Sequence, residues 1–226
     1  MKRSHLLTAI ILLVLIIDQV SKIYIKTNFG IGEGFPMFGL DWAKIHFVEN
    51  DGMAFGLSFG GVIGKYMLSI FRIILVMVLI YIIRGMIQAK ENLGLLIAFA
   101  LIIAGAIGNI IDSAFYGMIF SATPVHGGVA EMFPEAGGYA PFLQGKVVDM
   151  LYFPMYEGTF PDWFPFRSGK RFSFFNPVFN VADTSISAGV ITILVFYRSF
   201  FKTDEEIKKE EEEKINTDEI KPKEEQ

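Results

Sequence analysis

Apolar residues along this chain gather into four long runs, with most polar residues lying between them. The runs cover about 6–25, 62–83, 93–111 and 178–201. Each approaches the roughly 20 residues that a helix rising about 1.5 Å per residue needs to cross a bilayer core. They predict four transmembrane helices. The stretches between them differ in character. In 28–61, Trp42 to Val48 alternates loosely and predicts a strand, Asn50-Asp51-Gly52 a turn, and Met53 to Phe59 a second short strand. Ser113 to Pro177 is rich in Gly, Pro and aromatics and is not apolar enough to span. Within it, Lys146 to Phe153 predicts a buried strand holding one Asp. The fold class is therefore an α-helical polytopic membrane protein with a small β element outside the membrane.

Composition sharpens this picture at the ends. The chain is 52% hydrophobic, with 23 Phe and no Cys, which excludes an ordinary soluble domain, disulfides, thiolate metal sites and a Cys nucleophile. The net charge of −4 arises in the tail, where Thr203 to Gln226 is almost wholly Glu, Lys and other polar residues. That composition predicts a charged, disordered tail (203–226) after a membrane-embedded domain (1–202). The start, Met1-Lys2-Arg3 before an apolar run, has the outline of a signal peptide. No small-residue cleavage site follows, and Asp18 and Lys22 interrupt the run, so an uncleaved first helix is expected. Lys2, Arg3, Arg84, Lys90, Arg198 and Lys202 fall on one side, which predicts both termini in the cytoplasm. Segments 28–61 and 113–177 are then outside. Trp163, Phe164 and Phe166 suit an interfacial aromatic belt, and Gly127-Gly128 with Gly137-Gly138 suggest a compact external flap over the substrate groove.

The candidate chemistry lies in polar groups where lipid should be. An Asp at mid-bilayer costs roughly 2.5–3.5 kcal/mol on insertion scales and marks a functional site by default. Asp18 and Lys22 are one helical turn apart, and the spacing Asn-x-x-Asp occurs twice, at Asn109/Asp112 and Asn180/Asp183, each pair on one helix face. With both termini inside, Asp18, Asp112 and Asp183 all lie toward the outer leaflet, and Asp149 is in the loop joining two of them. Asp18 and Lys22 read either as a self-neutralising pair with Lys22 snorkelling, or as the lining of a polar cavity that orients a neighbouring site. The small residues Gly105, Ala106, Gly108, Ser185 and Ser187 permit close helix approach. Arg72 lies within the second run, which holds no acidic residue, and is expected to be unpaired there.

Among reaction types, Ser–His catalysis lacks a Gly-x-Ser-x-Gly turn, the three His (His5, His46, His126) are scattered, and no zinc-ligand spacing occurs. Two carboxylates sharing one proton need only Asp, one acting as base on water and the other as acid. Which two form the pair is left open by spacing alone. An ion-coupled transporter would use the same residue types, but it predicts internal repeats and broken helices, which the sequence does not show. A non-catalytic membrane scaffold leaves the Asp149 strand without a purpose.

In order along the chain, five short boxes resemble those of the bacterial lipoprotein signal peptidases (signal peptidase II). They are Asp18-Gln19-Val20-Ser21-Lys22, Asn50-Asp51-Gly52-Met53-Ala54-Phe55-Gly56, Gly105 to Asp112, Val147-Val148-Asp149, and Phe179-Asn180-Val181-Ala182-Asp183. The resemblance implies a catalytic dyad of Asp149 and Asp183. It implies supporting or substrate-contacting roles for Asp18, Lys22, Asn50, Gly52, Asn109, Asp112 and Asn180, and no metal or cofactor. The implied substrate is a prolipoprotein whose lipobox Cys carries a diacylglyceryl group, cut just before that Cys on the outer side of the plasma membrane. The implied partners are that substrate and membrane lipid, with no nucleic acid, and the protein is expected to be a monomer. The external β element becomes an extracytoplasmic cradle for the peptide. Two departures stand out. Ser113 replaces the family's Arg after the third-box Asp, with Arg72 as a candidate substitute. The connection 113–146 is also far longer than the family's handful of residues.

Overall fold

The computed structural model describes residues 2–51, 61–125, 127–154, 156–161, 163, 169–174 and 177–201. The second predicted strand (Met53 to Phe59), Gly52, His126, Phe164, Phe166 and the tail from 203 lie outside the described residues. The chain runs α1 (Arg3–Asn28), β1 (Gly34–Pro36), β2 (Lys44–Asn50), α2 (Gly61–Gln88) and α3 (Leu93–Ile111). A π turn (Asp112–Tyr116) and a short turn α4 (Gly117–Ile119) extend α3. There follow β3 (Val147–Tyr152), the hairpin β4 (Tyr156–Thr159) and β5 (Arg171–Phe174), β6 (Val178–Phe179), α5 (Val181–Phe196) and a final 3₁₀ turn (Arg198–Phe201).

Three of the expected spans are helices long and apolar enough to cross a membrane: α1, α2 and the continuous stretch Leu93–Ile119. Their outer surfaces expose Leu12, Ile16, Val20, Met67, Phe71 and Tyr81, as a lipid-facing surface requires. The fourth, α5, is apolar but has 16 residues, about 24 Å of helix at about 1.5 Å per residue. The expected helix over 178–201 is thus shorter at both ends, with Arg198–Phe201 forming the separate 3₁₀ turn. Val178 and Phe179 pair instead with Tyr152 and Leu151. Asn180 then caps α5, its side chain accepting from the Asp183 N–H, so the helix starts just after it, where an Asn cap is favoured. The third span is also longer than expected, because the π turn carries the helix past Ser113.

Helix α3 is central and packs against α1, α2 and α5. Glycines make its contact with α5 close: a Cβ at Gly105 would lie 2.2 Å from the Ala182 carbonyl oxygen. This is small-residue packing of the kind the sequence suggested. One apolar cluster joins the helices through Leu7, Ile83, Leu96, Phe99, Ile103 and Ile193.

The sheet has strand order β1-β2-β3-β6, all neighbours antiparallel. The predicted strand over Trp42–Val48 is β2, shifted by two residues, and that over Lys146–Phe153 is β3. Because strand side chains alternate between faces, Asn50 and Asp149 share one face of β2–β3, while Phe47, Glu49 and Val148 share the other. That second face is covered by the segment after α4. Phe47, Phe120, Ala130 and Val148 form a second cluster with Ile25 and Tyr116. Backbone bonds fold the segment back on itself and on α3, from Tyr139 to Phe120, Ala140 to Gly117 and Gly145 to Ser113. The segment expected as a flap is compact and forms part of the core beneath the sheet.

Candidate active site

The site lies where the mouth of the helical bundle meets the sheet, and α1 supplies its base. Asp18 and Lys22 are fully buried and one turn apart. Lys22 Nζ is 2.9 Å from Asp18 Oδ2 and 2.8 Å from Asp112 Oδ2, and donates to Asn109 Oδ1 at 3.1 Å. Lys22 does not snorkel: its ammonium stays inside the bundle, held by Asp18, Asp112 and Asn109. Asp18 Oδ1 also accepts from the Ala182 N–H at 2.9 Å, a first-turn donor of α5 that the Asn180 cap leaves open. A Cβ at Gly108 would meet Asp18 Oδ2 at 2.6 Å, so the third box needs Gly at this crossing.

From this base, two asparagines reach the outer carboxylates. Asn109 Nδ2 donates to Asp183 Oδ1 at 2.8 Å. Asn180 Nδ2 donates to Asp149 Oδ1 at 2.7 Å, with further contacts to Asn109 Oδ1 at 3.2 Å and Val148 O at 3.3 Å. Its Oδ1 accepts from the Asp183 N–H at 2.9 Å. One asparagine therefore touches both Asp149 and Asp183. Asn50 Nδ2 completes the Asp149 carboxyl from the sheet, at 3.1 Å from Oδ2. Eight residues expected at the site, Asp18, Lys22, Asn50, Asn109, Asp112, Asp149, Asn180 and Asp183, thus form one hydrogen-bonded network; Gly52 lies outside the described residues.

Asp149 is 2% exposed while Asp183 is half-buried. Burial first, and the Asp183 charge second, push the Asp149 carboxyl up to about 7, against the pull of Asn50, Asn180 and Lys22. Such a carboxyl, sitting beside a second one, can hold a proton near neutral pH and give it up during reaction.

Several participants were not singled out from the sequence. Gln19 Nε2 bridges Asp18 Oδ2 (3.0 Å) and Asp112 Oδ1 (2.9 Å), and its Oε1 accepts from the Tyr116 hydroxyl at 3.1 Å. Its place inside the first box was the available signal. The Val148 N–H, 3.4 Å from Asp112 Oδ2, leaves no side-chain signal at all. Ser113 is buried, its Oγ donating to Asn109 O at 3.0 Å and its carbonyl accepting from Gly145 N at 2.8 Å. The long connection thus closes over the position that holds the family's Arg. Arg72, expected to be unpaired within the second run, has a partner in the structure. Its guanidinium lies within electrostatic reach of Asp183, Asp112 and Asp149.

Comparison with known proteins shows the family and the fold. Residues 10–201 match the family described as signal peptidase (SPase) II. A lipoprotein signal peptidase of Porphyromonas gingivalis is 48% identical over 196 residues, covering 86% of this chain and 84% of the relative. One of Amoebophilus asiaticus is 37% identical over 193 residues, covering 84% of this chain and 76% of the relative. Among solved structures, a bacterial membrane enzyme determined by the in meso method at 2.3 Å resolution superposes with a TM-score of 0.58 at 25% identity, covering 88% of this chain and 93% of that one. A second, at 1.9 Å resolution, gives 0.54 at 26% identity, covering 88% and 94%. A match over nearly the whole chain, joined to a network that unites all but one of the expected site residues, places this chain in the signal peptidase II family.

Proposed function

We propose that the chain performs its family's reaction, the removal of signal peptides from prolipoproteins, as an aspartic endopeptidase with Asp149 and Asp183 as the dyad. The observation that carries this is the paired attachment of the two carboxyls to Asn180 and Asn109, with Asp149 raised to about 7. In this reading Asp149 holds the shared proton and Asp183 accepts one from a water molecule between them. The water oxygen attacks the scissile carbonyl carbon as Asp149 gives its proton to the carbonyl oxygen, forming a gem-diol. In the second step Asp183 returns its proton to the leaving nitrogen, Asp149 recovers one from a diol hydroxyl, and the C–N bond breaks. The bound substrate is a prolipoprotein with a diacylglyceryl-modified Cys, cut before that Cys.

The same reading places the enzyme in the bacterial plasma membrane as a monomer. The sheet and dyad are on the outer face, both termini are cytoplasmic, and 1–202 is the catalytic domain. The positive residues at the cytoplasmic ends support it. The decisive experiment is cleavage of a diacylglyceryl prolipoprotein by purified variants in detergent with EDTA present. Asp149→Asn and Asp183→Asn each abolish cleavage while retaining substrate binding, and Asp112→Asn is milder. Parental cleavage by either dyad variant ends the proposal.

A further inference from the structure

Helix α1 carries a third ionisable residue on the stripe of Asp18 and Lys22. Lys26 stands one more turn along and, like them, is fully buried. The site described above does not use it. Its Nζ donates to Glu49 Oε1 at 2.5 Å and to Thr123 Oγ1 at 3.1 Å, and Thr123 Oγ1 donates to the same Glu49 oxygen at 2.6 Å. Lys146 Nζ is 3.3 Å from Glu49 Oε2. The Lys26 ammonium also lies 5.2 Å and 5.4 Å from the ring centres of Tyr139 and Phe120. Around it are Ile25, Phe47, Phe120 and Val148 of the apolar cluster beneath the sheet.

An ion pair in such surroundings is a poor source of stability, because desolvation consumes its Coulomb gain and apolar residues of similar volume often serve as well. What it supplies is a single geometry. Glu49 pairs with Val148 across the sheet and precedes Asn50, whose side chain turns to the opposite face and donates to Asp149. Fixing Glu49 to α1 therefore fixes the strand that carries Asn50 and, through it, Asp149. The same helix reaches the other carboxyl through Asp18 to Ala182 N and through Lys22 to Asn109. The geometry points to Lys26 and Glu49 as positioning residues of the peptidase reaction: their pair, completed by Thr123, ties the strand bearing Asp149 to the helix stripe that holds Asp183. This rests on the dyad reading.

The test uses the full-length protein in detergent, a diacylglyceryl prolipoprotein substrate, and separate measurement of Tm, KM and kcat. Glu49→Gln leaves a buried ammonium without its counter-charge and lowers Tm. The double variant Lys26→Met/Glu49→Leu restores the parental Tm, because both buried charges are gone and only the Thr123 hydroxyl of the trio remains. Its kcat nevertheless stays down by about tenfold to a hundredfold, with KM within about twofold of the parent, as expected when a catalytic group is misplaced. A double variant with parental Tm and parental kcat overturns the inference, as does a change confined to KM. If the double variant does not fold, Thr123→Val keeps the ion pair and the shape while removing the bridging hydroxyl. It is expected to lower kcat about threefold or more at unchanged KM, on the scale of one lost hydrogen bond. Parental kcat there overturns the inference. Asp149→Asn is run alongside. Residual cleavage by that variant sinks the dyad reading, whereas an inactive Asp149→Asn beside a fully active double variant sinks only the positioning role.

Discussion

Replacing Asn180 with Ser separates two functions that one side chain performs at once. The first is capping, with Asn180 Oδ1 accepting from the Asp183 N–H at 2.9 Å. Serine caps helices about as well, so α5 loses little. The second is the donation from Nδ2 to Asp149 Oδ1 at 2.7 Å, which the shorter serine side chain does not reproduce. That bond favours the ionised carboxylate and so opposes the rise of Asp149 to about 7. A hydrogen bond to a charged acceptor is worth about 1.5–3 kcal/mol, and one pKa unit corresponds to about 1.36 kcal/mol. Losing it moves the carboxyl up by about one to two units. Asn50 still donates to Oδ2 at 3.1 Å and Lys22 still attracts the ionised form, so the lower end is expected. In the proposed mechanism Asp149 must carry a proton to act as the acid, so its loss sets the alkaline limb of the kcat/KM profile. The two carboxyls are coupled, and the limb reports an apparent value of the pair. Asn180→Ser therefore shifts the alkaline limb of prolipoprotein cleavage upward by about one unit. A limb that stays in place or moves to lower pH, in a variant with parental Tm, refutes the reasoning.

Four further outcomes are expected. Asp149→Asn is more heat-stable than the parent at pH 8, and the gap closes toward pH 4. Between the ordinary carboxylate value of about 3.9 and its folded value of about 7, the parent binds more protons folded than unfolded and so loses stability as pH rises; a gap independent of pH contradicts this. Gly105→Ala places a Cβ 2.2 Å from the Ala182 carbonyl oxygen, a backbone atom at the start of α5. It should cost about 1–3 kcal/mol of stability by overpacking, read by denaturation, together with a fall in kcat from displacement of Asp183. Reporter fusions at Gly60 and Gly138 should report outside and one at Ala89 inside; a cytoplasmic signal at Gly138 removes the proposed topology. Deleting 203–226 should leave cleavage at the parental rate in the detergent assay, and a substantial loss would assign the tail to the catalytic domain.

Much of this protein is legible along the chain because the relevant physics is local. A bilayer demands long apolar helices whose backbone bonds are internal, so the spans stand out as runs. Carboxylates and a lysine inside such runs are costly enough to mark Asp18, Lys22, Asp112 and Asp183 without any partner in view. The Asn-x-x-Asp spacing puts Asn109 one turn from Asp112 on α3, whereas at Asn180/Asp183 it makes Asn180 the cap before α5, its side chain accepting from the Asp183 N–H. Tertiary structure decided what spacing does not encode. Strand pairing of Asn50 with Val147, far apart in sequence, brings Asn50 to Asp149, and β6 takes two residues that hydropathy assigns to the last helix. The π turn, the Val148 N–H on Asp112 and the Lys26–Glu49 pair beneath the sheet likewise exist only once helix ends and strands meet. Periodicity records which face of an element is buried; which buried polar group meets which depends on the relative placement of elements, and that is set by packing across the whole fold.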